Sequence, residues 1–127
     1  MQIRSRLVLA GAVFGFIGVA MGAFGAHALA EVLELRQATA IWKTAVHYQM
    51  WHALGLLILS GLQFDTRTIS TAGISFIIGI ALFSGTLYGI GLGGPRWLGA
   101  ITPLGGLCLL FGWFLLARSA CQSEKNH

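Results

Sequence analysis

The chain has 127 residues, of which 56% are apolar and only 9% charged, with a formal net charge of +4. Soluble domains carry charge on roughly a quarter of their residues, so a water-facing globule is excluded. A nucleic-acid interface is excluded too, because no basic stripe with interleaved aromatics occurs. Apolar runs fill residues 7–29, 45–62, 71–92 and 97–117, joined by short connections and followed by a tail over 118–127. About 18 or more apolar residues let a helix cross a hydrocarbon core about 30 Å thick. The expected fold is an all-α membrane protein, a four-transmembrane-helix bundle with short loops, formed as one domain over the whole chain.

Charge at the run ends sets the expected orientation. Arg4, Arg6, Arg67, Arg118 and Lys125 fall on one side of a four-pass path, against Arg36, Lys43 and Arg96 on the other. By the positive-inside rule both termini face the cytoplasm of a bacterial inner membrane. Membrane lipid is the first expected partner, and a second copy or another membrane protein the next.

The first run begins after Arg4 and Arg6 and ends on Ala26-His27-Ala28, which imitates a secretory signal with its cleavage site. Its apolar stretch exceeds the roughly 7–15 residues of such signals, so it is read as a structural helix. Gly11, Gly15, Gly18, Gly22 and Gly25 follow one another at intervals of four, three, four and three residues. That spacing puts all five on one narrow face, a backbone-exposed seam suited to close helix approach. Gly85, Gly89 and Gly93 in the third run repeat at four and offer a candidate partner seam.

Between the first two runs, Glu31 to Lys43 is more polar, with Val32, Leu35, Thr39 and Trp42 at helical spacing. This stretch is expected to lie along the interface or to extend the second helix. Trp42 and Trp97 are expected as aromatic anchors at the outer interface, with Arg96 reaching headgroups. Residues 64–70 form a cytoplasmic turn in which Thr68 or Ser70 can cap the third helix.

Polar residues inside the runs carry the most information, since lipid offers them no partner. His27, then Tyr48, Gln49 and His52, then Ser84 and Tyr88, then Thr102 all fall in the outer half of an alternating four-pass path. They form the candidate polar pocket, and His47 and Thr86 lie in the same outer half. A metal site is not expected: His47 and His52, five apart, diverge by about 140° on a helix, and no intramembrane carboxylate joins them. The plainer expectation is interhelical hydrogen bonding of His27 and His52 with Ser84, Tyr48, Tyr88 or backbone carbonyls.

The fourth run contains Ile101-Thr102-Pro103-Leu104-Gly105-Gly106. Proline favours a first helical turn, so the helix proper can start near Pro103, with residues 93–102 broken and amides near Gly105 and Gly106 open to a carbonyl or an anionic headgroup. The competing expectation is a proline kink satisfied by neighbouring helices. Cys108 and Cys121 lie about 20 Å apart along a helix, beyond disulfide reach, and are expected as free thiols.

Gly22-Ala23-Phe24-Gly25-Ala26-His27-Ala28-Leu29, Tyr48-Gln49-Met50-Trp51-His52-Ala53-Leu54, Phe83-Ser84-Gly85-Thr86-Leu87-Tyr88 and Ile101 to Gly106, closing on Gly112-Trp113, occur in order, one group per run. Together they resemble domain-of-unknown-function family 423, small four-helix inner-membrane proteins. The matching positions are Gly25, His27, Tyr48, Gln49, His52, Ser84, Gly85, Tyr88, Thr102, Pro103 and Gly106, whereas His47 stands where such proteins are expected to carry Gln. The resemblance implies a fold and a location but no activity.

No nucleophile with an adjacent base, paired carboxylates, phosphate loop or redox cysteine pair is present in the sequence. An enzyme is not expected, nor is any cofactor. Two functional classes remain: a structural or accessory protein packing with lipid or a partner, and an oligomeric small-solute or proton transporter or channel component with a polar outer pocket.

Overall fold

The computed structural model describes residues 2–126, which form five helices: α1 (Ile3–Ala26), α2 (Ala30–Leu35), α3 (Thr39–Gly61), α4 (Thr66–Gly91) and α5 (Leu98–Lys125). At about 1.5 Å per residue the four long ones measure about 35 to 42 Å, enough to cross a bilayer. Three of them, α1, α4 and α5, are also apolar enough by composition to do so. Of the four expected spans, α3 is the one that does not reach that apolarity. The second expected span, α3, carries His47, Tyr48, Gln49 and His52 within two turns, which lowers its apolarity below that of the others.

Contact is unequal around the assembly. α1 lies along α3, α3 along α4, and α4 along α5, whereas α1 touches α4 only lightly. The helices run antiparallel. Arg4, at the start of α1, donates from Nη1 to the Ser60 and Leu62 carbonyls at the end of α3, at 2.7 and 2.8 Å. At the same end Ser119 of α5 reaches Thr68 of α4 at 3.4 Å. At the opposite end Trp42 of α3 donates to the Met21 carbonyl of α1 at 2.8 Å.

The buried residues of α3 include Trp42, Ala45, Gln49, His52, Leu56 and Leu59, spaced by three, four, three, four and three. This is the same heptad-like rhythm as the α1 glycine row, but apart from Trp42 the glycines meet the neighbouring face of α3, at Val46, Met50, Ala53 and Leu57. A Cβ at Gly11 would stand 2.9 Å from the Ala53 carbonyl oxygen, one at Gly18 would overlap Met50, and one at Gly25 would overlap the Trp42 indole. Gly22 faces Val46 at ordinary contact distance, while Gly15 has open space around it.

The expected partner seam on the third run is not used this way. Gly85 is exposed, and a Cβ there would meet nothing within 4 Å. Gly89 faces Leu98. Gly93, at φ +90°, ends α4: its amide bonds to the Ile90 carbonyl and that of Gly94 to Gly89, the paired bonds of a left-handed helix terminus that favours glycine. The glycines with the tightest neighbours on α4 and α5 are others. Gly73 accommodates Leu7, Gly79 accommodates Leu109, Gly112 accommodates the Phe76 ring, and Gly105 lies against the α4 backbone at Leu82 and Phe83.

Two apolar clusters fill the interior. Leu7, Leu56, Leu59, Ile69, Ala72, Phe76, Ile80 and Leu109 pack toward the arginine-rich end. Leu33, Ala38, Trp42, Ala45 and Tyr88 pack toward the other. The short α2 supplies Leu33 to the second cluster and turns sharply into α3 through Gln37, at φ 54°. The polar stretch expected as one interfacial helix or one extension is therefore broken in two.

Trp42 departs from its expected interfacial place. It is only 2% exposed and packs on Tyr88, with ring centroids 4.7 Å apart, in a slot that Gly25 and Gly91 leave open. Trp97, 63% exposed, is available at the surface as expected. The cap of α4 is also reassigned: Asp65 accepts from the Thr68 amide at 3.0 Å and from its hydroxyl at 2.6 Å, so Thr68 is the recipient of the cap.

α5 starts at Leu98 and runs through Pro103, so the expected break over 93–102 shrinks to the turn at 92–97. Gly105 is buried against α4, which removes its amide from any surface role. Cys108 and Cys121 are free thiols.

Candidate functional site

The polar residues of α3 extend from a buried stripe, and their bonds lead to three different helices. Gln49, 2% exposed, donates from Nε2 to the Phe14 carbonyl of α1 at 2.9 Å and accepts at Oε1 from the Tyr88 hydroxyl of α4 at 2.7 Å. One amide thus joins three helices. Ser84 of α4 donates to the Ala45 carbonyl at 2.7 Å, a bond that the small side chains of Ala45 and Ser84 allow by letting the helices approach.

His52 bonds toward α5. Its Nδ1 lies 2.7 Å from the Tyr48 carbonyl, one turn back, and its Nε2 accepts from the Trp113 indole at 2.9 Å. A carbonyl only accepts and an indole N–H only donates, so the geometry assigns the neutral tautomer with its hydrogen on Nδ1. The ring is held edge-on against Phe76, with centroids 5.2 Å apart, and Phe76 in turn packs on Trp113 at 5.0 Å.

The remaining candidates do not converge on this place. Thr102 pairs with Thr86 at 2.6 Å across α4 and α5, and each also bonds into its own helix. His27 is exposed at the end of α1, and His47 is exposed and stacked on Trp51. The seven residues expected as one polar pocket are therefore distributed: Gln49 with Tyr88, Ser84 alone on a backbone carbonyl, His52 with Tyr48, Thr102 with Thr86, and His27 outside. Among the described residues, no buried side-chain nitrogen or oxygen lacks a hydrogen-bond partner.

What does form is an apolar groove. Because α3 and α5 meet mainly across α4, a cavity of about 750 Å³ opens between them, lined by Tyr48, Trp51, His52, Phe83, Pro103, Leu107, Leu110 and Trp113 among others. Tyr48 packs its ring on Trp51 and Phe83 at 5.0 and 4.5 Å. The His52–Trp113 bond crosses from one wall to the other. Among the described residues, no three His, Cys, Asp or Glu side chains gather to hold a metal ion.

Several bonding partners were not singled out from sequence. In the sequence Trp113 is only the last residue of a motif, yet its indole is the group that engages His52. Arg4 was read as a topology charge and proves to cap α3. The signal for Gln49 and His52 as bridging residues lay in the three-four rhythm they share with Trp42, Ala45, Leu56 and Leu59.

Residues 21–106 match the family described as "Protein of unknown function (DUF423)". This chain belongs to that family. The match contains Gly25, His27, Tyr48, Gln49, His52, Ser84, Tyr88, Thr102 and Pro103, and stops short of Trp113. Among curated proteins, it is 36% identical over 130 residues to the UPF0382 inner membrane protein YgdD of Escherichia coli, covering 99% of this chain and 96% of the relative. A UPF0382 membrane protein of Staphylococcus epidermidis is 43% identical over 111 residues, 86% of this chain and 89% of the relative. The Bacillus subtilis membrane protein YwdK is 37% identical over 118 residues, 91% and 95% of the two chains. No solved structure matches. The protein is thus a helical membrane protein of a family with no established activity, and none of these relatives carries an enzymatic name.

Proposed function

We propose that this protein is a structural or accessory component of the bacterial inner membrane, without catalytic activity, in which α1, α3, α4 and α5 all cross the bilayer and both termini face the cytoplasm. The crossing of α3 is supported by its position. It is flanked by α1 and α4, so Gln49 and His52, two of the groups that lower its apolarity, are buried against protein, while His47 is exposed. The cytoplasmic placement of the termini is supported by Arg4, Arg6, Arg67 and Arg118 standing at one end.

One observation carries the reading. Among the described residues every buried side-chain nitrogen or oxygen has a hydrogen-bond partner, so even His52, which lines the groove, has both ring nitrogens engaged. The groove between α3 and α5 is apolar and suits an acyl chain or a partner's apolar helix face. The transport alternative has no such support, since the polar pocket it requires is not assembled.

A photo-crosslinking amino acid placed at Leu107 in the groove, and another at Phe16 on the exposed face of α1, tests this in native membranes. The accessory reading expects a discrete lipid or protein adduct at Leu107. Equal, diffuse labelling at both positions, or solute flux through the purified protein in vesicles that His52→Ala abolishes, would overturn it.

A further inference from the structure

We propose that the arginine-rich end carries a binding site for a phosphate-bearing group, the headgroup of an anionic membrane phospholipid, held between Arg67 of α4 and Arg118 of α5. A cavity of about 430 Å³ opens there, lined by Arg67, Thr68, Thr71, Leu115, Arg118, Ser119 and Gln122. Its lining contains two guanidinium groups, four further polar side chains and no carboxylate. Asp65, which lines the adjoining cleft with Ser119 and Gln122, is committed to capping α4 through Thr68.

The walls are set by helical spacing. Arg67 and Thr71 are one turn apart on α4, while Leu115, Arg118, Ser119 and Gln122 share a face of α5. Ser119 bonds to Thr68 across the two helices at 3.4 Å, which fixes the separation of the walls. Among the described residues neither arginine forms an ion pair, so two like charges meet at one cavity whose own lining supplies no counter-charge. A phosphate supplies one, and each planar guanidinium matches its oxygens in bidentate fashion.

Depth selects a lipid as the source of that phosphate. Arg118 lies twenty residues beyond Leu98, about 30 Å along the helix, which is the thickness of the hydrocarbon core. Both arginines therefore stand at headgroup level. Below them the same faces turn apolar, through exposed Ile74 and Ile78 on α4 and Phe111 on α5, a surface for acyl chains. Basic cavities between membrane helices at this level are the sites anionic headgroups occupy. The site requires only that α4 and α5 cross the bilayer, and stands apart from the accessory role proposed above.

The test compares wild type with Arg67→Gln/Arg118→Gln by native mass spectrometry and thermal denaturation in detergent, with phosphatidylglycerol, phosphatidylcholine or inorganic phosphate added. Phosphatidylglycerol is expected to stay bound and protect the wild type, with affinity about tenfold weaker or worse in the variant, the loss of charge-assisted contacts. Inorganic phosphate is expected to protect neither. Lys43→Gln/Arg96→Gln, at the other end, should retain wild-type binding. Should the double variant fail to fold, Ser119→Glu, which places a carboxylate in the cavity, should reject the lipid alone. Equal phosphatidylglycerol binding by wild type and the cavity variants, equal loss in the Lys43/Arg96 control, or protection by inorganic phosphate matching the lipid's, would overturn the proposal.

Discussion

Gly105→Ala should destabilise the protein although alanine is the better helix former. A Cβ at Gly105 would stand 2.8 Å from the Leu82 carbonyl carbon and 2.9 Å from its Cβ, and closer still to the Phe83 amide nitrogen. Carbon atoms rest at about 3.5–4.0 Å, so α5 would have to withdraw from α4 by about 1 Å along a helix pair that packs for most of its length. The obstacle is backbone, which cannot rotate aside as Met50 can at Gly18. Overpacking of this kind costs about 1–3 kcal/mol, and it opposes an intrinsic gain of about 1 kcal/mol from replacing helical glycine. Gly85→Ala is the matched control, since its Cβ meets nothing within 4 Å. It should be neutral or stabilising by up to about 1 kcal/mol. Unfolding in mixed micelles, followed by Trp fluorescence, reads both variants on one scale. Equal destabilisation by the two changes would refute the packing, because it would mean that Gly85 also lies in a tight seam.

His52→Ala should lower stability by about 1–3 kcal/mol, since the Trp113 indole loses its acceptor; detergent denaturation of the single variant checks this, and an unchanged midpoint contradicts it. Cys121, exposed near the end of α5, should resist a membrane-impermeant maleimide in intact cells and react once the membrane is permeabilised; labelling in intact cells would place this terminus outside. The Asp65 carboxyl is held below its ordinary 3.8, first by the Thr68 hydroxyl and then by the Thr68 amide. A depressed carboxylate contributes its stability above the unfolded value and loses it as pH falls through the folded one. The wild-type thermal midpoint should therefore fall more steeply below about pH 4 than that of Asp65→Asn, and parallel curves would remove the cap from the account.

The helical membrane character was legible from composition and run length alone, because bilayer crossing is a demand on apolar length. The α1 seam was legible as well, since five glycines at three-four spacing define a face without reference to any partner. Its partner was not legible: Gly85 and Gly89 share a spacing, but spacing does not say which face of a helix meets protein, and α1 instead packs on the α3 face formed by Trp42, Val46, Met50, Ala53 and Leu57. Trp42 was misplaced for a related reason. A tryptophan near a span end suits the interface by composition, and only the slot left by Gly25 and Gly91 draws it inside. The polar residues were found, but their grouping by depth merged bonds that run to different helices. Depth is one coordinate, and the direction around each helix axis is the other.

The most direct test of the central claim, that the polar residues of α3 tie helices together, is a double-mutant cycle between Gln49→Leu and Tyr88→Phe in detergent unfolding. The 2.7 Å bond between their side chains predicts a coupling of about 0.6 to 1.7 kcal/mol. Strictly additive effects of the two changes would show that the bond does not join α3 to α4, and would contradict the account at its centre.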